Sequence, residues 1–345
     1  MSILIDGSYG EGGGQIVRVS VSMAALFGKS IRVINIRAKR PKPGLRPQHL
    51  KAIETVAKLS RAEVRGLKIG STELEFYPHE IRGGKFTVDV GTAGSITLIL
   101  QAVVPLGVIS QEPIDLQLVG GTDVPFSPPI DYIRNLFLRF LRKIGYSMEI
   151  EVLRRGYYPK GGGIVNISMK PPNELRPIEL IHLSSVEKIR GISYCSRLPA
   201  HVAERQARAA ERILEAKGLE GEIEIEVDEG KALSPGSGIV LWAEGKDTFV
   251  GGDSLGQKGK RAEKVGEEAA NKVIMELNRR APVDRHMADM ILPYLLLSSG
   301  RSKYRCTEIT EHLLTEVHVL QRIVNTRINI NRESRLIEVE GVGKR

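Results

Sequence analysis

The sequence predicts an α/β (α+β) fold: three repeated βαβαββ units packed helix to helix, with a smaller α/β domain inserted into the third. Three observations predict it. The order strand, helix, strand, helix, strand, strand recurs along the chain. A glycine-containing turn follows the first strand in both of the first two copies. The third copy is interrupted between its first strand and its first helix.

The first unit opens on the short strand Ile3-Leu4-Ile5. Gly10-Glu11-Gly12-Gly13-Gly14 then leads into a helix over 15–27, where Ile16, Val19, Met23 and Leu26 recur at helical spacing. A strand over 31–36, a helix over 47–59 and strands around Val64 and Leu74 complete it. The second unit runs as a strand over 86–90, the turn Gly91-Thr92-Ala93-Gly94-Ser95, a helix over 96–106 and a strand over 114–119. It ends with a helix over 130–144 and strands near Ile150 and Val165. The third unit has its first strand at 178–183, then a helix over 288–297 and a strand near Tyr304. A helix over 312–324 and strands at Ile328 and Ile337 follow. Each unit presents a sheet with two helices on one face, so the helical faces can share a core.

The interruption is α/β in its own right. It holds a strand near Ile192, a charged helix over 202–217, strands at Ile223 and Val240, and a helix over 262–277. The expected division is therefore 1–184 with 280–345 as a large domain, and 185–279 as an inserted small one. Gly251-Gly252-Asp253-Ser254-Leu255-Gly256 is expected to form a turn before a helix rather than a functional loop.

Composition narrows the class. At 345 residues and 41% hydrophobic content the chain can bury a substantial core, and with 26% charged and 5% aromatic residues nothing points to disorder or to a disulfide-dense scaffold. Apolar runs such as 96–110 are broken short of the roughly 18 residues that a membrane span needs. No basic segment leads into an apolar one after Met1, so no signal peptide is expected. Cys195 and Cys306 lack ligand-like spacing and read as inert thiols in a reducing compartment, which suggests a soluble cytoplasmic protein. The net charge of +9 favours an anionic partner, most commonly nucleic acid. Arg37, Lys39, Arg40, Lys42 and Arg46 fall in a stretch without a single acid, and Pro41, Pro43 and Gly44 make that stretch a loop.

Several side chains could carry chemistry. Glu11 lies within a glycine loop before a helix, where backbone N–H groups can approach a phosphate. A carboxylate there is either a magnesium ligand or a complement to the helix dipole. Arg18 falls one turn further on and can point the same way. Guanidinium groups on the basic loop suit phosphate oxygens. Gln48 either bonds substrate or starts a helix. His312 occupies the first turn of a helix with Thr310 as its N-cap, a position that disfavours the imidazolium and leaves a neutral ring. Without wider context it is equally readable as an ordinary surface histidine. His318 turns to another face and receives no role.

Together these motifs resemble the RNA 3′-terminal phosphate cyclase family. The resemblance rests on Asp6-Gly7, Gly10-Glu11-Gly12-Gly13-Gly14-Gln15-Ile16, Arg18 and the run Arg37-Ala38-Lys39-Arg40-Pro41-Lys42-Pro43-Gly44-Leu45 with Gln48-His49-Leu50. It continues through Gly91-Thr92-Ala93-Gly94-Ser95, Leu100-Gln101, Gly120-Gly121-Thr122-Asp123, Tyr158-Pro159 and Gly161-Gly162-Gly163. Ala288-Asp289 and His312-Leu313-Leu314-Thr315 close it, so it spans nearly the whole chain in order.

The resemblance implies a ligase-class enzyme that uses ATP and a divalent metal (Mg or Mn) on an RNA with a 3′-terminal phosphate. It implies that His312 is adenylylated and that Glu11 holds the metal. Arg18, Arg40 and Gln48 would bind the RNA phosphate end. Gln101, Pro128, His286, Met287, Ala288, Asp289 and Met290 would bind the nucleotide, with Pro128 on the adenine face. Some members carry a tyrosine where this chain has His286, and either ring can stack on adenine. Two other classes are weighed. A non-catalytic relative that binds RNA in ribosome assembly shares the fold but lacks the histidine. An enolpyruvyl transferase shares the architecture of repeated units but not these motifs.

Overall fold

Alternating and helical apolar spacings along the chain resolve into four mixed sheets. The computed structural model describes residues 2–228 and 230–343. The first sheet is built from β1 (Ile3–Asp6), β2 (Ile31–Ile34), β3 (Glu63–Arg65) and β4 (Leu74–Tyr77), with helices α1 (Gln15–Phe27) and α2 (Pro47–Leu59) between them. Its order is β1-β2-β4-β3, with β1 parallel to β2 and the other pairs antiparallel. Gly28 ends α1 in the left-handed region at φ 59°, and its N–H reaches the carbonyls of Ala24 and Ala25.

The second sheet follows the same scheme. It contains β5 (Gly84–Asp89), β6 (Ile114–Gly120), β7 (Met148–Arg154) and β8 (Gly163–Met169) in the order β5-β6-β8-β7. The helix expected over 96–106 divides into α3 (Ile96–Val103) and α4 (Leu106–Ile109). Pro105 lies at the division, because it has no N–H to continue the ladder. The helix expected over 130–144 forms as α5 (Ile130–Tyr132), a π-helical turn (Ile133–Phe137) and α6 (Leu138–Lys143).

A short strand, β9 (Glu179–Leu180), comes next. After it β10 (Lys188–Ser196), α7 (His201–Glu215), β11 (Gly221–Asp228), β12 (Gly236–Glu244), β13 (Gly251–Leu255) and α8 (Ala262–Asn278) follow one another. The sheet order is β11-β10-β12-β13. Here the expected turn at 251–256 is corrected, since most of it is edge strand. A Cβ on Gly252 would stand 2.8 Å from the Ala269 carbonyl and 2.9 Å from Lys272 Cβ. Gly252 therefore serves the close approach of α8 to the strand, and Gly251 that of Leu136.

Strand β12 shows how this sheet attaches. Ile239, Leu241 and Ala243 pack with α7 and α8 in a cluster of their own. The alternate residues Val240 and Trp242 join the main core. Period-two alternation thus buries both faces of the strand.

The chain then passes through α9 (Met287–Met290), α10 (Leu292–Leu297), β14 (Ser299–Arg305), α11 (Glu311–Ile323), β15 (Ile328–Asn331) and β16 (Leu336–Val342). The last sheet has the order β15-β16-β14-β9, with β9 parallel to β14 and the other pairs antiparallel. Helices α1 and α11 pack together, which brings the two ends of the chain side by side. Among the described residues no helix is long and apolar enough to cross a membrane.

Candidate active site

The site begins with missing side chains. Gly10 and Gly12 take φ of 59° and 56°, which turns the loop back on itself before α1. A Cβ on Gly14 would lie 2.1 Å from His49 Nε2, and one on Gly13 would lie 3.1 Å from Arg40 Nη2. Bare backbone here lets the basic loop of 37–46 lie against the glycine loop. Lys39 Nζ donates to the Gly10 carbonyl at 3.2 Å, and Arg40 Nη2 donates to Glu11 Oε2 at 3.0 Å.

Helix α11 supplies the histidine. The Thr310 hydroxyl caps it by accepting from the Leu313 N–H at 3.1 Å, so His312 sits in the first turn. The glycine loop touches this helix as well, since a Cβ on Gly10 would meet Thr315 Oγ1 at 2.5 Å. His312 Nε2 consequently stands 3.5 Å from Glu11 Oε2. Partial burial holds the imidazole below its ordinary pKa of 6.5; Glu11 opposes that shift, and Arg18, His286 and Arg40 reinforce it. The ring is neutral at pH 7 and has a lone pair to attack with.

Beneath it lies a buried polar floor. Gln15 Nε2 is 3.0 Å from Asp289 Oδ2, 3.2 Å from the His312 carbonyl oxygen and 3.2 Å from Glu316 Oε2. Arg18 is buried beside both acids; burial lowers its pKa to about 10 while Glu316 and Asp289 oppose the change, so it stays charged. Burial raises Asp289 to about 7 and lifts Glu316 well above the usual carboxylate range. The floor therefore holds one cation and two carboxyl groups that do not both ionise at neutral pH.

A cleft of about 430 Å3 opens above this floor. Arg18, Gln101, Pro128, His286, Asp289, Met290 and His312 line it. Glu11 and Arg40 are not among the residues that line it; Glu11 meets it through His312. Gln48 lies further off, with its Cβ 3.2 Å from where a Cβ of Gly94 would be. Met287 and Ala288 face the main core instead of the cleft, and the Tyr304 hydroxyl donates to the Ala288 carbonyl at 2.6 Å. His318 stacks on Tyr9 with ring centroids 3.7 Å apart.

Several contributors were not anticipated. The buried Asp284 carboxylate accepts from the N–H groups of His286 at 2.9 Å, Met287 at 2.8 Å and Gly251 at 2.9 Å, and from the Tyr132 hydroxyl at 2.8 Å. It pins the 286–290 segment to β13 and α5, and nothing in its local sequence announces that. Glu316 did carry a signal, because an acid four residues after His312 falls on the apolar side of α11, beside Leu313, Val317 and Leu320. Asp253 and Lys272 bring a wall of the cleft from β13 and α8.

Among the described residues no group of three or more His, Cys, Asp or Glu is placed to hold a metal. Glu11 is a single, half-exposed carboxylate. That donor suits a hard cation completed by phosphate and water oxygens, not one caged by protein.

Fold and site together define a mixed α/β enzyme whose cationic cleft is organised round an uncharged histidine. A model of the family described as RNA 3′-terminal phosphate cyclase matches residues 9–330, and the chain belongs to that family. It is 49% identical over 336 residues to the RNA 3′-terminal phosphate cyclase of Methanopyrus kandleri, covering 96% of each chain. It is 50% identical over 320 residues to that of Pyrococcus furiosus, covering 93% of this chain and 92% of the relative. The Pyrobaculum neutrophilum protein of the same name is 46% identical over 346 residues, covering 99% of each.

Proposed function

We propose that this chain converts an RNA 3′-terminal phosphate to a 2′,3′-cyclic phosphate with ATP, through AMP carried on His312. The observation that carries the reading is that His312, from the last helix, lines one cleft with Arg18 and meets Glu11, which Arg40 in turn bonds, from the opposite end of the chain. Neutral Nε2 of His312 attacks the α-phosphorus of ATP, the bond to the β-phosphate oxygen breaks, and pyrophosphate leaves. A 3′-phosphate oxygen of the RNA then attacks the same phosphorus and returns imidazole to neutrality. Finally the neighbouring 2′-hydroxyl attacks the activated 3′-phosphate, loses its proton and releases AMP.

The remaining residues bind and orient. Gln101, Pro128, His286, Asp289 and Met290 hold the nucleotide from the cleft wall, and His286 offers a ring to adenine. Met287 and Ala288 act through the backbone shape of α9. Arg18, Arg40 and Gln48 serve the RNA phosphate. Gln15 is a positioning residue, since its amide bonds the His312 carbonyl. A divalent cation shared between Glu11 and the triphosphate would offset phosphate charge.

The same reading extends to organisation. We infer that residues 1–184 and 280–345 form one domain of three βαβαββ units and that 185–279 is an insertion. The matching strand orders of three sheets and the separate cluster under α7 and α8 support this.

The test is incubation with α-labelled ATP and magnesium or manganese, followed by denaturing electrophoresis. Label is expected to stay on the protein, survive alkali, leave in acid and vanish in His312→Ala. Stable labelling of His312→Ala sinks the assignment. Wild type that never labels favours the non-catalytic, RNA-binding relative. Arg40→Ala is expected to label yet fail to cyclise RNA, and normal cyclisation would remove Arg40 from the substrate site.

A further inference from the structure

The larger cavity of the molecule is not the histidine cleft. A groove of about 870 Å3 runs between the 157–163 loop, the ends of β12 and β13, and the first turns of α7 and α8. Its wall adjoins the histidine cleft, because Pro125 lines the groove while Phe126, Ser127 and Pro128 line the cleft.

Two aromatic rings stand largely exposed here, Phe126 on the cleft side and Tyr158 in the groove wall. Phe126 is 102% exposed and takes a left-handed φ of 66°, a costly choice for a bulky residue. Tyr158 is 73% exposed although its neighbour Tyr157 is buried and shares a 3.0 Å hydrogen bond with Ser196. The loop that presents Tyr158 is held firmly. Gly161 has φ 65°, and a Cβ there would lie 2.7 Å from both Ala93 Cα and the Thr92 carbonyl.

The charges are one-sided. Asp123 is the sole carboxylate among the described residues lining the groove; it is buried and bound by Arg155 at 3.3 Å and by the Tyr194 hydroxyl at 2.8 Å. Arg205 and Lys260 are paired with Glu263 and Glu268. That leaves Lys258 and the 80%-exposed Arg261 side chain at the rim, the latter 3.7 Å from Glu263. Exposed rings beside a basic rim suit stacked bases and a phosphate backbone.

We propose that this groove binds single-stranded RNA, the nucleotides that immediately precede the reacting 3′ end. The strand crosses the ridge at Phe126, its bases stack on Phe126 and Tyr158, and its phosphates meet Lys258 and Arg261. This rests on the reading that the RNA end reacts in the histidine cleft, and it gives the inserted sheet a substrate-binding task.

The test compares KM for cyclisation of a dodecamer and of a dinucleotide, both ending in a 3′-phosphate. In wild type the dodecamer KM is expected to be about tenfold lower or more, from stacking and phosphate contacts beyond the end. Tyr158→Ala and the double variant Lys258→Glu/Arg261→Glu are expected to shrink that ratio towards one, and Tyr158→Trp to restore it. Equal KM values for the two RNAs in wild type overturn the groove alone, as does an undiminished ratio in every variant. Loss in Tyr158→Ala that Tyr158→Trp fails to recover also counts against stacking. Wild type that cyclises neither RNA overturns the activity reading, and the groove with it.

Discussion

Nε2 of His312 stands 3.5 Å from Oε2 of Glu11, and the same carboxylate oxygen accepts a hydrogen bond from Arg40 at 3.0 Å. One acid from the first glycine loop thus sits between a permanent cation and a titratable ring from the last helix. Both charges act on the His312 ring, in opposite directions, and that effect can be measured without any substrate.

The His312 ring, followed by NMR during a pH titration, is expected to show a midpoint below 6.5 in wild type. Glu11→Gln removes a charge that favours the imidazolium, so its midpoint moves lower still. Arg40→Ala removes a charge that opposes it, so its midpoint rises. Shifts of the same sign in both variants would contradict the arrangement.

Asp289 links the cleft to stability. Its pKa rises on folding from 3.8 to about 7, chiefly through burial. The folded state then holds the proton more tightly, so stability declines as pH climbs between these values and the whole penalty is present above the upper one. Asn at this position cannot ionise. The stability gained by Asp289→Asn is expected to grow by about 2–3 kcal/mol between about pH 5 and about pH 8, measured by denaturant unfolding. A difference independent of pH would refute the assignment.

Gly14 is required by His49. An added methyl would fall 2.1 Å from Nε2 of that buried ring, whose Nδ1 accepts the Arg46 N–H at 3.1 Å. Gly14→Ala is expected to cost about 3 kcal/mol and to weaken the proposed self-adenylation by displacing the basic loop. Gly28→Ala meets nothing within 4 Å and carries only its left-handed φ, so a cost of about 1 kcal/mol is expected. Equal losses in the two variants would mean that crowding is not the cause.

Arg155 joins the end of the second sheet to the sheet of β10 to β13. It is 3% exposed, bonds Asp131 at 2.7 Å, Asp123 at 3.3 Å and Glu226 at 2.8 Å, and lies over the Tyr194 ring at 3.9 Å. Arg155→Ala leaves Asp123 buried without its counter-charge, whereas Asp131 keeps Arg134 at 3.1 Å. A loss of about 3–5 kcal/mol is expected on thermal or chemical unfolding. A loss below about 1 kcal/mol would show that the network adds nothing to docking.

By itself the sequence determined the features that depend on neighbours along the chain. The order of strands and helices, the Thr310 cap, the glycine loop ahead of α1 and the acid-free basic loop were all legible there. These follow from backbone preference and from which face of a helix or strand is apolar, and both act over a few residues. Only the tertiary structure decided that β13 is a strand, because Gly252 accommodates α8 and Gly251 accommodates Leu136, each from another element. It also decided that Met287 and Ala288 turn inward while His286, Asp289 and Met290 face the cleft. Above all it decided that Glu11 and Gln15 meet His312 and Glu316. Such contacts arise from the packing of α1 on α11, and packing between the two ends of a chain leaves no periodic trace in either of them.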